Sequence, residues 1–539
     1  MRKSSRGILA LGVVAATFVH GAPAFSQNIH QAIRNGDVDQ VKAILEKDET
    51  AIRLRQDGIL PLHLAVRVGN RAIAEVLIAG GADINRFAED AAGFSPNEFT
   101  ALTDAIRVGN MDMITMFAAR GADLTRVTSY GESYLHFATF MNRKEAARFL
   151  IDRGADVNAR KRGGLTPLHL AAVLGFDELA DLLIQKGARL DLRTSDGATP
   201  LHLAEAAGRQ TTAALLRSRG AKDLPRQFPR YAGTYLGVKR PGSRPEPFAP
   251  ELFRDIYRVH SAPAFAPDGK EVYWECIFMR GNNEVPRIWF MKEENGRWTA
   301  PRVAPFSLHP SGGPAFFHDG KSLVYHSLQP RDQSGVPAKD VDLWIVEREG
   351  KGWSRPRHLD TALNRDGSNE TYPIVAKDGS IYVNQGAQGF VKSVLAGGRY
   401  ADMEVIGDLF DTTVVDTCRA MDYILMFSAR GRREWYEYEL YLSVHGPDGR
   451  WSKPVSLGER LHAGRRATLA AVTIDGKYLF FVSDFYPEWV DARVLDQFLA
   501  ARGRSEAAAG PVAGRGLVAC HVPARRAARV DPLTSLRTE

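Results

Sequence analysis

The chain is poor in cysteine and in long apolar runs and, once its two ends are set aside, carries no net charge. Its three cysteines, Cys276, Cys418 and Cys520, are an odd number at wide spacing with no CxxC pair among them. That pattern excludes a disulfide framework and a zinc site of ordinary ligand spacing, so isolated thiols packed in strands are expected. The sustained apolar run from Ile8 to Val19 is too short to cross a bilayer. Of the formal charge of +7, three units come from Arg2, Lys3 and Arg6 and a net +4 from the segment beginning at Leu499. A neutral body argues against nucleic acid, whose binding depends on neutralising phosphates. There is also no GxSxG elbow, which removes the usual serine-hydrolase partner domain.

What is present begins with MRKSSRGILALGVVAATFVHGAPAFSQ: a basic start, an apolar stretch, then small residues at Ala22, Ala24 and Ser26. This is a secretory signal pattern, assigned to 1–26, and it implies a bacterial protein that is periplasmic or secreted. At 539 residues the chain is too long for one core and is expected to be multidomain.

Self-comparison of the first half aligns His30, His63, Thr103, His136, His169 and His202 at intervals of 33, 40, 33, 33 and 33. Six positions on lies a helix-stopping column, Gly36, Gly69, Gly109, Asn142, Gly175 and Gly208. A third column, Gly81, Gly121, Gly154, Gly187 and Gly220, keeps the register. Thr166 and Thr199 read as N-caps with Pro167 and Pro200 at the first helical position, and a second helix follows each glycine. The motif TPLHLAA…G…LLI..GADVNAR resembles the ankyrin repeat, in six units over 28–223. The resemblance implies an all-α solenoid, histidines that tie neighbouring units through backbone hydrogen bonds, and partners held at hairpin tips and inner helices. Those tips carry Arg86, Arg126, Arg160, Lys161, Arg162 and Arg193, a basic line suited to an acidic protein or peptide partner.

Residues 224–244, rich in proline, read as a linker. Beyond them Asp-Gly turns between β-branched and aromatic runs recur: FAPDGKEVYW, FFHDGKSLVYHS, AKDGSIYVNQ and TIDGKYLFFVSD, with RAMDYILMFSA lacking the glycine. A second hairpin follows each of the first four of these units in the chain, with an aromatic residue at Trp298, Trp353, Tyr400 and Trp451. Four strands per unit imply an all-β propeller over 245–498, of five blades, or six if 386–411 hides another. PEPFAPELF is expected to complete the final blade. The F-x-P-D-G-K signature resembles the bacterial WD40-like PD40 repeats of the TolB-like propellers. Residues 499–539, rich in Ala, Arg and Gly, are expected to be disordered.

No residue pattern requires catalysis. Asp340 and Asp342 precede a strand, and Asp484 with Glu488 flank the last blade; structural roles are expected for Asp340 and Asp342, and an enzymatic propeller would lose turnover on changing Asp342 or Asp484. His309, His318 and His326 have no ligand spacing, so neither metal nor cofactor is expected. If the propeller binds a partner, the resembled geometry points to Arg280, Asn282, Arg331, Asp332, Arg430, Arg432, Arg433 and Trp435, the last four in one loop. The function expected is an exported, non-enzymatic protein-interaction scaffold. The alternative is a propeller enzyme acting on glycans or peptides.

Overall fold

The computed structural model describes residues 26–56, 59–87, 100–128, 130–226, 228–253, 259–276, 286–331, 338–359, 363–365, 367–385, 390–396, 399–401, 404–406, 416–418, 423–428, 439–444, 452–458, 461, 468–483, 486–496 and 498. Residues 1–25 of the signal pattern, Trp451 and the 499–539 segment therefore lie outside the described residues, as does all but the backbone of Cys418.

The first half is a stack of helix pairs: α1 (Ser26–Asn35) with α2 (Val38–Lys47), α3 (Pro61–Arg67) with α4 (Arg71–Ala79), and α5 (Ala101–Val108) with α6 (Met111–Ala119). The stack continues with α7 (Tyr134–Phe140) and α8 (Lys144–Asp152), α9 (Pro167–Leu174) and α10 (Asp177–Gln185), and α11 (Pro200–Ala206) and α12 (Gln210–Ser218). None of these helices is long and apolar enough to cross a membrane. One pair cannot bury its apolar face alone; stacked, they share a single core from Ile29 in α1 to Leu216 in α12. Each first helix ends where the chain turns left-handed. Asn142, φ 51°, does there what Gly175 does at φ 80°.

The repeated histidine is part of its own helix cap. Thr166 Oγ1 accepts from the His169 backbone N–H, while His169 Nδ1 lies 3.2 Å from the Thr166 N–H and 2.8 Å from its hydroxyl. Nδ1 is thus an acceptor, which leaves the proton on Nε2, 3.2 Å from the carbonyl of Ala198 in the next unit. His136 repeats this with Ser133 and Leu165, and His30 Nε2 reaches the Ile59 carbonyl at 3.0 Å. Thr103 keeps only the cap with Thr100.

The second half is mostly β, in a propeller-like arrangement of antiparallel sheets that follow one another along the chain. One sheet holds Ala264–Phe265, Glu271–Cys276, Arg287–Glu294 and Arg302–Val303, with Arg297–Trp298 as a hairpin extension. The next holds Ser311–Phe316, Ser322–Ser327, Asp342–Glu349 and Arg357–His358, with Gly352–Trp353 as the extension. Thr371–Val375, Ile381–Asn384, Phe390–Ser393 and Glu404–Val405 form another, so region 386–411 contributes to this sheet. Asp416–Cys418, Tyr423–Ser428, Glu439–Val444 and Val455–Ser456 follow. Thr468–Val472, Tyr478–Ser483 and Tyr486–Asp491 come last in the chain, and Glu246–Pro247 pairs with Tyr486–Asp491 to complete their sheet. The Asp-Gly turns share one device: Asp268, Asp319, Asp378 and Asp475 each accept from the backbone N–H two residues on, with the intervening glycine left-handed. The chain from Ala492 onward is a separate unit, of which a short turn, Ala492–Leu495, is described.

Candidate functional site

The first strands of four of the sheets line a cavity of about 90 Å³, bounded by Ser261–Phe265, Gly313–Phe316, Tyr372–Val375 and Ala471–Ile474. One end, before the Asp-Gly turns, is apolar, with Phe265, Phe316, Val375 and Ile474. The opposite end is polar. The difference begins in the backbone, because register shifts interrupt the first strands between Gly312 and Ala315, Thr371 and Ile374, and Thr468 and Ala471. Bulges re-aim side chains, and two of these contain Pro314 and Pro373, residues that cannot donate to a ladder. Tyr372 sits in one with φ 49°, a conformation costly for a non-glycine residue and typical of functional sites.

Around the polar end stand His260, Glu275, His326 and Tyr372, from three consecutive sheets. Glu275, 2% exposed, lies 3.2 Å from His260 Nδ1 through Oε1 and accepts the Gly313 N–H at 3.2 Å through Oε2. Tyr372 closes the ring: its hydroxyl is 2.9 Å from His260 Nδ1, and its backbone N–H donates to His326 Nδ1 at 3.2 Å. Burial alone would raise the Glu275 carboxyl, yet the two histidines and the Gly313 N–H hold it below the usual carboxylate range. Burial, opposed by Glu275, pushes His326 down to about 4, so near neutrality the carboxylate is ionised and this ring is neutral. The space is tight. A β-carbon on Gly312 would overlap Glu275 Oε2, and one on Gly313 would lie 2.7 Å from His326 Nδ1.

Nearby, Glu370 is fully buried. Ser368 and Gln385 donate to its Oε1, Gln385 at 2.9 Å, and among the described residues none donates to its Oε2 within hydrogen-bond geometry. Burial raises this carboxyl above its ordinary range. The arrangement provides a carboxylate-oriented imidazole, with the His260 side chain still 29% exposed, beside an apolar channel. Such a pair can orient a hydrogen-bonding ligand or hold a proton. Among the described residues, no group of three or more His, Cys, Asp or Glu could hold a metal ion.

Of the histidines singled out in the sequence, only His326 belongs to this cluster. Asp342 is fully buried beneath a bidentate Arg331, at 2.5 and 2.7 Å, with His358 at 3.3 Å, and Asp340 accepts the Gly367 N–H. Arg331, expected at a binding loop, is therefore committed to an internal ion pair. Arg280, Asn282, Asp332, Arg430, Arg432, Arg433, Trp435 and Asp484 lie outside the described residues.

The basic line of the solenoid is also largely engaged. Arg126 donates to the Asn85 carbonyl and covers the Phe87 ring, Arg160 reaches the Arg193 carbonyl at 2.5 Å, and Arg193 binds the carbonyls of Gly197 and Pro225. Arg162 lies over the Tyr130 ring. Lys161 and Glu132 form a pair at 2.7 Å with both side chains 7% exposed, so Lys161 is an interior residue and not a tip. Arg86 is exposed. Elsewhere on the solenoid Val68 and Val108 are more than 40% exposed at equivalent ends of α3 and α5.

His260, Glu275 and Tyr372 were missed by sequence reasoning, although a signal existed. Six residues after the turn glycine, a strand position expected to be apolar carries Glu275, His326, Gln385 and Val482.

Comparison with known families agrees with the first half of the chain: the model described as "Ankyrin repeats (3 copies)" matches residues 25–88, 88–161 and 159–226. The search of curated proteins finds no match to the chain.

Proposed function

We propose that this protein is an exported, non-enzymatic scaffold that holds protein or peptide partners on two surfaces, the ankyrin solenoid and a five-bladed propeller of the TolB-like PD40 kind. The observation that carries the reading is how the solenoid uses its repeated polar residues. His30, His136 and His169 and most tip arginines are committed to bonds between or within units. The work left to such a stack is done by its surface. Val68 and Val108 supply apolar anchors there, with Arg67 and Arg107 beside them on the buried Asp104. In the propeller, the polar end of the channel is the corresponding face.

The test is affinity capture from an envelope extract, comparing the natural chain with a Val68→Asp, Val108→Asp variant. A partner held by the first and lost by the second supports the reading; identical recoveries from both oppose it.

The Glu275–His260 pair favours a second reading, an enzyme acting on glycans or peptides with His260 as proton acceptor. Turnover of any member of a glycan or peptide library that disappears in His260→Gln would establish it over the scaffold.

A further inference from the structure

The segment between the two halves is built as a strap, not as a loose tether. From the solenoid side, Arg226 pairs with Asp196 at the last hairpin tip, their side chains 11% and 1% exposed, and Arg193 donates to the Pro225 carbonyl at 3.2 Å. Arg226 then covers the Phe228 ring at 5.2 Å, and that ring meets Tyr231 at 5.8 Å.

From Tyr231 onward the same strand of contacts runs along the β half. The Trp298 backbone N–H donates to the Tyr231 carbonyl at 3.0 Å and its indole N–H to Gly233 at 2.7 Å. Tyr235 binds the Gly269 carbonyl and sets its ring 4.7 Å from Phe265 and 4.9 Å from Tyr478, so it joins the sheet that begins at Ala264 to the sheet that begins at Thr468. Phe265 also lines the channel. The backbone is held under tension here: Tyr235 and Leu236 are left-handed in succession, at φ 53° and 59°.

The strap ends as the strand that completes the last sheet. That closure is short, pairing Glu246 with Trp489 and Pro247 with Glu488, with Phe248 donating to the Pro487 carbonyl and Asp491 to that of Gly242. A two-residue edge strand that includes proline is a weak seam. Its strength comes from Phe248, fully buried among Phe253, Phe480 and Trp489 with ring centroids 5.6, 5.0 and 4.9 Å away.

We propose that the strap couples the two halves: the Arg226–Asp196 latch on the last ankyrin unit holds the seam of the β half shut, and an acidic partner that captures Arg226 loosens the seam and the channel wall at Phe265. Only the regulatory use rests on the scaffold reading; the coupling is testable without any partner.

The test is native-state hydrogen exchange on the full chain, comparing the natural protein with Arg226→Ala. Exchange in 246–253 and 486–491 should quicken about tenfold, while 323–327 and 343–346, in a sheet to which none of these strap hydrogen bonds and ring contacts runs, stay as they were. Exchanging the charges, Asp196→Arg with Arg226→Glu, should restore slow exchange at the seam. Lys144→Ala, which breaks the exposed Lys144–Glu178 pair elsewhere in the solenoid, should leave the seam unchanged. The proposal is overturned if Arg226→Ala quickens only the solenoid, if it quickens every region equally, or if Lys144→Ala opens the seam as well.

Discussion

Both halves of this chain are built by repetition, and they differ in what repetition does to their polar side chains. In the solenoid, His136 and His169 occupy one column and make one set of bonds, capping their own helix and reaching the next unit's carbonyl. In the β half, the column six residues after the turn glycine changes identity from sheet to sheet, and Glu275, His326 and Gln385 are each buried with different partners. A polar residue that repeats is part of the framework. A buried polar residue that departs from its column serves its own neighbourhood, and here two of them, Glu275 and His326, meet at one end of a channel through Gly313 and Tyr372.

Acid should separate the halves most strongly. Burial pushes both His136 and His169 down to about 4 from 6.5, so the unfolded chain binds their protons first. Solenoid stability is then fully present above pH 6.5 and falls between 6.5 and 4, by about 3 kcal/mol per ring at 1.36 kcal/mol per unit. The β half loses one such contribution through His326 over the same window. It loses a second through Glu275, whose lowered carboxyl stabilises above its unfolded value and ceases to do so as the pH falls through the folded one. All 8 tryptophans lie after residue 270. Denaturant unfolding followed by helical circular dichroism and by tryptophan fluorescence therefore reads the halves separately. Equal acid sensitivity from pH 6.5 to 4 would break the comparison.

Next in size is Lys161→Met. It removes the ammonium paired with the buried Glu132 carboxylate and should cost about 3 kcal/mol, seen in the circular dichroism transition alone, whereas adding Glu132→Gln should recover most of the loss.

How far the sequence revealed this molecule follows the same division. Solenoid architecture was legible because each unit is a local motif: Thr166, Pro167, His169 and Gly175 cap, start and stop one helix with little help from elsewhere. The recurring Asp-Gly turns were legible for the same reason, their signals being short-range; of PEPFAPELF, expected as a closing strand, only Glu246–Pro247 pairs, and Pro250–Phe253 is helical. The channel cluster was not. His260 and Tyr372 are 112 residues apart yet share a hydrogen bond, and the bulge that aims Tyr372 leaves no composition signature beyond Pro373. Lys161 was placed among tip residues because a charge next to Arg160 and Arg162 reads as solvated; its pairing with Glu132, 29 residues earlier, goes with an interior position.

Two glycines sharpen the contrast between framework and site. Gly208 ends α11 at φ 69° with open space around it, so Gly208→Ala should cost about 1 kcal/mol from backbone conformation. At Gly312 the β-carbon would meet Glu275 and His326, and Gly312→Ala should cost about 2 kcal/mol through displaced side chains. Fluorescence-detected unfolding would see the second and not the first.

The smallest effect on stability should come from the solenoid surface. Val68 is 44% and Val108 42% exposed, each at the end of the first helix of its unit. Aspartate at either position loses little burial and creates no buried charge, so each change should stay within about 0.5 kcal/mol. If these valines anchor a partner, the same changes remove apolar contact where a partner would bury it and place an unpaired carboxylate there, which costs far more in a complex than in the free chain. A double variant that unfolds at the natural denaturant midpoint yet no longer retains a partner would locate solenoid function on its surface. A shift of both stability and binding together would return these residues to the framework and erase the distinction between the repeated interior and the working face.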